Sequence, residues 1–175
     1  MRPSDTPLIA SDAIELRVAH LAAELSKDLA GENIVALCVL KGAIHFASDL
    51  VRKMTIPVTI GFVRPKSYVG TEPPASVMML IPPTEPLAGR TVLIVEDILD
   101  TGRTTQAVLA EVRSHAPYKV CLITLLNKRH RRAAAVQADF TGFEIGDHFV
   151  VGYGLDHEER YRELPDIHIL ENGSA

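Results

Sequence analysis

The stretch Val92-Leu93-Ile94-Val95-Glu96-Asp97-Ile98-Leu99-Asp100-Thr101-Gly102-Arg103-Thr104-Thr105 carries the densest chemistry in the chain. An apolar strand runs into two adjacent carboxylates, and a Gly/Thr loop with a third acid, Asp100, opens a helix. Ligands of open parallel sheets bind beyond the carboxyl ends of the strands, which puts Glu96 and Asp97 at the mouth of a site. Carboxylates there accept hydrogen bonds from sugar hydroxyls or from hydrated Mg²⁺. The loop adds hydroxyls, a Gly that lets backbone approach a ligand, and the unpaired amides of a helix N-terminus, whose dipole favours phosphate. No Gly-Lys-Ser/Thr is present, so this is not a Walker A loop. The plain alternative is an acidic strand end before a Thr-capped helix. Three acids in register with five loop residues favour the ligand site.

Other segments carry weaker signals. In Leu40-Lys41-Gly42-Ala43, Gly42 permits close backbone approach and Lys41 supplies charge, although so short a motif also arises by chance. Ser67-Tyr68-Val69-Gly70-Thr71 sets a Tyr among small residues beside Gly, which suits a lid that moves and excludes water, or equally an exposed hairpin tip. Lys128 stands in a basic cluster through Arg132, most of which reads as a solvated loop. His157-Glu158-Glu159-Arg160-Tyr161 begins like a zinc-binding HExxH, but Tyr161 replaces the second His. Gly152-Tyr153-Gly154 begins a GxGxxG, but His157 stands at its last position.

The elements that must hold these residues follow from periodicity. Ile14, Val18, Leu21, Leu25 and Leu29 form one stripe of an amphipathic helix over 11–30, closed by Gly31. Residues 33–40 read as a strand buried on both faces, 43–53 as a helix and 56–63 as a strand. A polar loop is expected over 64–76, a short strand over 77–81 and a Pro-rich connector to Gly89. A buried strand over 91–95, a helix over 104–115 and a strand over 120–126 follow. Alternating strands and helices predict an α/β domain with a mostly parallel central sheet flanked by helices, spanning 1–175 as one unit. The last fifty residues, with short apolar runs and many turns, are expected to form a small appendage at one sheet edge.

The 175 residues carry 47% hydrophobic and 23% charged side chains and a net charge of −4. That balance speaks against a surface built to neutralise nucleic-acid phosphates. Cys38 and Cys121 lie in apolar runs without CxxC or Cys/His spacing, so buried reduced thiols are expected. No apolar run approaches the ~18 residues needed to cross a bilayer, and a cytoplasmic location is the expectation.

The acidic strand–loop–helix segment resembles the phosphoribosyl pyrophosphate signature of type I phosphoribosyltransferases, and more narrowly of hypoxanthine-guanine phosphoribosyltransferases. The likeness runs from about Leu37 to Leu170 and takes in the Lys41-Gly42, Ser67–Thr71 and Lys128 segments, with Asp139 to Ile145 and Phe149 to Asp156. It implies the type I fold, with a small hood over the carboxyl ends of the strands. It also implies that Glu96 and Asp97 hold the ribose hydroxyls, and that Asp100, Thr101, Gly102, Arg103, Thr104 and Thr105 surround the 5′-phosphate. Asp100 would be the general base near purine N7. Ile98 would form a wall of the base pocket, Lys128 would donate to the exocyclic O6, Phe149 would stack on the ring, and the Val150 and Asp156 backbones would meet its edge. Lys41, Gly42 and Arg162 would bind pyrophosphate, and Ser67 and Tyr68 would belong to the lid. Mg²⁺ is the implied cofactor, with Glu96, Asp97 and Asp156 on its side, and the peptide before Lys41 is expected to be cis. Arg103 departs from the Lys of many relatives, keeping charge but changing shape.

Lys is donor-only, which favours a 6-oxo group over adenine's 6-amino group, because a buried donor facing a donor stays unpaired. This does not separate hypoxanthine from guanine or xanthine. The expected activity is therefore phosphoribosyl transfer to a 6-oxopurine in purine salvage, by a homo-oligomer with no nucleic-acid or membrane partner. Two alternatives stand beside it: an enzyme of the same class preferring xanthine or a pyrimidine, and a regulatory module that senses phosphoribosyl pyrophosphate. The acidic balance, and the roughly thirty residues before the first strand, leave little for the nucleic-acid-binding element such a regulator needs.

Overall fold

The computed structural model describes residues 1–66 and 78–171. A two-residue strand, β1 (Arg2–Pro3), precedes helix α1 (Ser11–Asp28), strand β2 (Ile34–Val39) and helix α2 (Ile44–Lys53). Strands β3 (Val58–Lys66), β4 (Met78–Ile81) and β5 (Thr91–Leu99) lead into helix α3 (Arg103–Ser114) and β6 (Lys119–Asn127). After a 3₁₀ turn at Arg129–Arg131 come β7 (Phe140–Glu144), β8 (Val150–Val151) and β9 (His168–Glu171).

The six-stranded central sheet has the order β4-β3-β2-β5-β6-β7, parallel except for the antiparallel β3–β4 pair. Every residue of β2 is buried, as expected where helices cover both faces. On one side, α1 and α2 lay Ile14, Val18, Leu21, Leu25, Phe46 and Leu50 against Ala36, Leu93 and Ile123. On the other, α3 packs Val108, Leu109 and Val112 against Val35, Val92 and Leu122. The same strands alternate their side chains between these two cores, the period-two consequence of the pleat. Cys38 and Cys121 are buried and free, and burial pushes the Cys38 thiol up to about 12.

Three expectations change. Strand β5 does not stop at Val95 but continues to Leu99, because β6 keeps pairing with it through Leu99 and Asn127. Glu96 and Asp97 therefore lie within the last residues of a strand rather than beyond it. Strand β3 extends to Lys66 where a loop was expected, absorbing Pro65 at a register shift opposite β4. The final third is not only an appendage. Strand β7 joins the central sheet beside β6, and β8 and β9 form a separate three-stranded sheet completed by the N-terminal β1.

Candidate active site

At the carboxyl end of β5, Glu96 is buried and Asp97 half-buried. The Thr105 hydroxyl, one turn into α3, donates to Glu96 Oε2 at 3.4 Å. Burial, followed by the neighbouring Asp97 charge, holds the Glu96 carboxyl well above its ordinary range. Burial raises Asp97 as well, opposed by the Ile98 amide and by the Arg162 charge. Two acids with raised proton affinity side by side have too few donors and too little positive charge to offset their burial, and hydroxyls or a cation supply more of both.

Helix α3 starts from Gly102, whose φ of +80° is a left-handed corner open to Gly, and no side chain caps this end. The helix dipole is thus directed at the loop holding Thr101 and Arg103, an arrangement that favours an anion. A side chain on Gly102 would approach Arg132 Cδ to 3.2 Å, so the basic segment after β6 backs the loop. Arg132 donates from Nη2 to the Leu99 carbonyl at 3.3 Å and to Asn127, while its Nε and Nη1 are buried without partners.

Asp100 faces two cations. Its Oδ2 lies 3.6 Å from Lys128 Nζ and its Oδ1 3.0 Å from Arg131 Nε, the latter without hydrogen-bond geometry. Lys128 is buried, and its amide donates to the Leu99 carbonyl. Arg131 also bonds Asp147 at 2.8 Å. Ile98 is half-buried and packs against the core under α1 and α2.

The Leu40–Lys41 peptide is cis, as expected. Gly42 has no space for a side chain, because a Cβ there would stand 1.7 Å from Asp97 Oδ2. Gly154, at φ +99°, comes so close from the other side that its Cβ would meet the Gly42 carbonyl oxygen at 2.1 Å. The segment after β8 is therefore pressed directly onto the Lys41-Gly42 loop. Tyr153 anchors it, donating its hydroxyl to Asp49 of α2 at 2.7 Å, and burial then this bond push the phenol upward.

Lys41 and Arg162, the two cations expected to bind pyrophosphate, are both held in ion pairs. Lys41 Nζ lies 2.8 Å from Glu159 Oε1, and Arg162 pairs with Asp156 at 2.8 Å and with Glu159 at 3.1 Å. Arg162 also donates to the Gly154 carbonyl at 2.6 Å. Val150 is buried, whereas Phe149 is 55% exposed and meets the His157 ring edge-on with centroids 5.5 Å apart. Ser67 and Tyr68 lie outside the described residues.

The structure thus collects Lys41, Gly42, Asp97, Asp156 and Arg162 in one cluster, and Asp100 with Lys128 in a second at the end of the same strand. Three participants escape a sequence reading: Glu159, Arg131 and the Tyr153–Asp49 pair. The only local hint of Glu159 was its place in a charged run that fails as a zinc motif.

The phosphoribosyl transferase domain model matches residues 8–158. The chain belongs to the phosphoribosyltransferase family. A hypoxanthine-guanine phosphoribosyltransferase from Bos taurus is 41% identical over 170 residues, covering 91% of this chain and 78% of that protein. The crystal structure of a hypoxanthine-guanine phosphoribosyltransferase from Bacillus anthracis superposes with a TM-score of 0.92 at 37% identity, covering 97% of this chain and all of that one. A hypoxanthine phosphoribosyltransferase from Staphylococcus aureus gives 0.91 at 35% identity, covering 95% and 91%. These likenesses also place the α/β architecture of this chain among phosphoribosyltransferase folds.

Proposed function

We propose that this chain transfers the 5-phosphoribosyl group of phosphoribosyl pyrophosphate to N9 of hypoxanthine or guanine, giving IMP or GMP and pyrophosphate in purine salvage. The observation that carries this reading is the buried Lys128 ammonium beside Asp100, next to a phosphate-ready helix N-terminus. A donor-only group selects a 6-oxo edge. Asp100, Thr101, Gly102, Arg103, Thr104 and Thr105 surround the 5′-phosphate, and Glu96 and Asp97 accept from the ribose hydroxyls. Ile98, Lys128, Phe149, Val150 and the Asp156 backbone frame the purine.

In the reaction the C1′–O bond breaks with its electron pair leaving on pyrophosphate, and purine N9 bonds to C1′. Lys41 and Arg162 neutralise the departing anion together with the Gly42 amide. Asp100, which faces Lys128 and Arg131, takes the purine proton at N7.

Among the described residues no three His, Cys, Asp or Glu side chains gather into a metal cage. Mg²⁺ is held by few protein carboxylates and completes its shell with substrate oxygens and water. The adjacent acids Glu96 and Asp97, and Asp156 near Arg162, are the groups that would hold it. When bound, it would withdraw charge from the pyrophosphate leaving group.

No helix among the described residues is long and apolar enough to cross a membrane. By likeness to the hypoxanthine-guanine phosphoribosyltransferases, we place the activity in the cytoplasm. We further place the chain in a homo-oligomer, a dimer or tetramer, because Ile44, Ile60, Phe62 and Leu80 leave apolar surface exposed on α2, β3 and β4.

The test is turnover with phosphoribosyl pyrophosphate and Mg²⁺ against hypoxanthine, guanine, xanthine, adenine and uracil, followed by ultraviolet absorbance. Hypoxanthine or guanine should react, a chelator should stop the reaction, and Asp100→Ala should lower turnover by about 10²-fold or more. Xanthine as the preferred base would replace the reading by its neighbour in the same class. Tight phosphoribosyl pyrophosphate binding without turnover of any base would replace it by a sensor.

A further inference from the structure

The turn His157-Glu158-Glu159-Arg160 closes on itself through His157 N–H to the Arg160 carbonyl at 3.2 Å and Arg160 N–H to the His157 carbonyl at 3.1 Å. Its two central residues stand at positive φ, Glu158 at +53° and Glu159 at +63°. Asn and Gly fill such corners at least cost, and a Glu is unfavourable there. What Glu159 adds is a side chain that Gly lacks. Its Oε1 lies 2.8 Å from Lys41 Nζ and its Oε2 3.1 Å from Arg162 Nη2. Each oxygen of one carboxylate takes a different cation, as two oxygens of a phosphoryl group would. The Glu159 amide donates to Asp156 Oδ2 at 2.9 Å, and Asp156 Oδ1 pairs with Arg162 at 2.8 Å, which closes the ring. The Glu159 side chain is 63% exposed, so it swings into water at little cost.

We propose that Glu159 is a built-in competitor for the pyrophosphate subsite. Its carboxylate holds Lys41 and Arg162 in place while no anion is bound and gives them up when a pyrophosphate group arrives. The proposal rests on the assignment of Lys41 and Arg162 to pyrophosphate made above. The physical gain is twofold. Two long cationic side chains stay ordered and near each other before an anion binds, and the multiply charged leaving group meets an intramolecular rival that shortens its stay. Any ligand carrying pyrophosphate must displace Glu159, whereas a nucleotide monophosphate leaves the subsite to it.

The experiment is calorimetric titration of Mg²⁺-pyrophosphate and, separately, of IMP into the full chain and its variants Glu159→Gln, Glu159→Asp and Lys41→Met, with melting curves reporting their folding. Glu159→Gln should bind pyrophosphate about two- to thirtyfold more tightly, the range that losing two exposed ion pairs spans, with IMP affinity unchanged. Glu159→Asp, whose shorter chain reaches the cations less well, should fall between. Pyrophosphate affinity unchanged or weaker in Glu159→Gln, while Lys41→Met weakens it, overturns the competition and leaves the subsite standing. Pyrophosphate binding that Lys41→Met does not alter removes the subsite assignment itself, and the proposal with it.

Discussion

Replacing Gly42 by Ala separates the geometry of the site from the stability of the fold. The new methyl would be placed 1.7 Å from Asp97 Oδ2 and 2.6 Å from Asp97 Cγ. A carbon and an oxygen rest at about 3.3 Å, so the carboxylate has to retreat by roughly 1.6 Å. Asp97 is a short side chain on a strand that can turn about its χ angles, so the fold absorbs the change at the usual overpacking cost of about 1–3 kcal/mol. For a chain of this length, that corresponds to a melting temperature lower by about 3–9 °C. Catalysis should suffer far more, because a misplacement of about 1 Å at a reacting centre costs on the order of 10²-fold. The assay is kcat/KM for phosphoribosyl pyrophosphate with hypoxanthine, beside a thermal melt of the same sample. Gly31→Ala is the control, since Gly31 stands at φ +81°, where an Ala is strained, but a Cβ there meets nothing within 4 Å. It should cost stability and leave kcat/KM alone. A Gly42→Ala enzyme that keeps kcat/KM within about threefold of the parent would refute the claim that Gly42 exists to make room for Asp97.

Tyr153→Phe removes the 2.7 Å bond to Asp49 and should destabilise the chain by about 1.5–3 kcal/mol, the value of a hydrogen bond to a charged group. An unchanged denaturant midpoint would show that the tie between α2 and the segment after β8 contributes nothing. Glu96→Gln should make the unliganded chain more stable while lowering turnover, with a pH signature. The folded state keeps a proton on Glu96 that the unfolded chain loses near the ordinary 4.5, so wild-type stability falls as pH rises from there towards the raised folded value. The advantage of the Gln variant should therefore be absent below that pH and grow above it. Denaturation at pH 4 and pH 8 that gives the same difference at both would count against a proton-holding Glu96.

Much of the fold is visible in the sequence because its signals are local. The Ile14–Leu29 stripe, the all-apolar run of β2 and the step from Val95 through Glu96 and Asp97 to Gly102 are each confined to sixteen residues or fewer. Periodicity and turn chemistry act over that distance, and the acids and the loop come into register because they are covalently adjacent. Tertiary structure decided the rest. Strand β1 is two residues long and has no period of its own, so only β9, far along the chain, defines it. β5 reaches Leu99 because β6 offers it hydrogen-bond partners, not because Glu96 and Asp97 favour a strand. Lys41 looks like an unpaired cation until the chain returns with Glu159, 118 residues later. Gly42 reads as a residue that lets backbone approach a ligand, and Gly154 as an ordinary flexible glycine, until folding brings Asp97 against one and the Gly42 carbonyl against the other. A sequence lists which groups can form ion pairs and close contacts. Choosing among them takes the packing of the whole chain, because charge and steric contact act through space and leave no periodic trace.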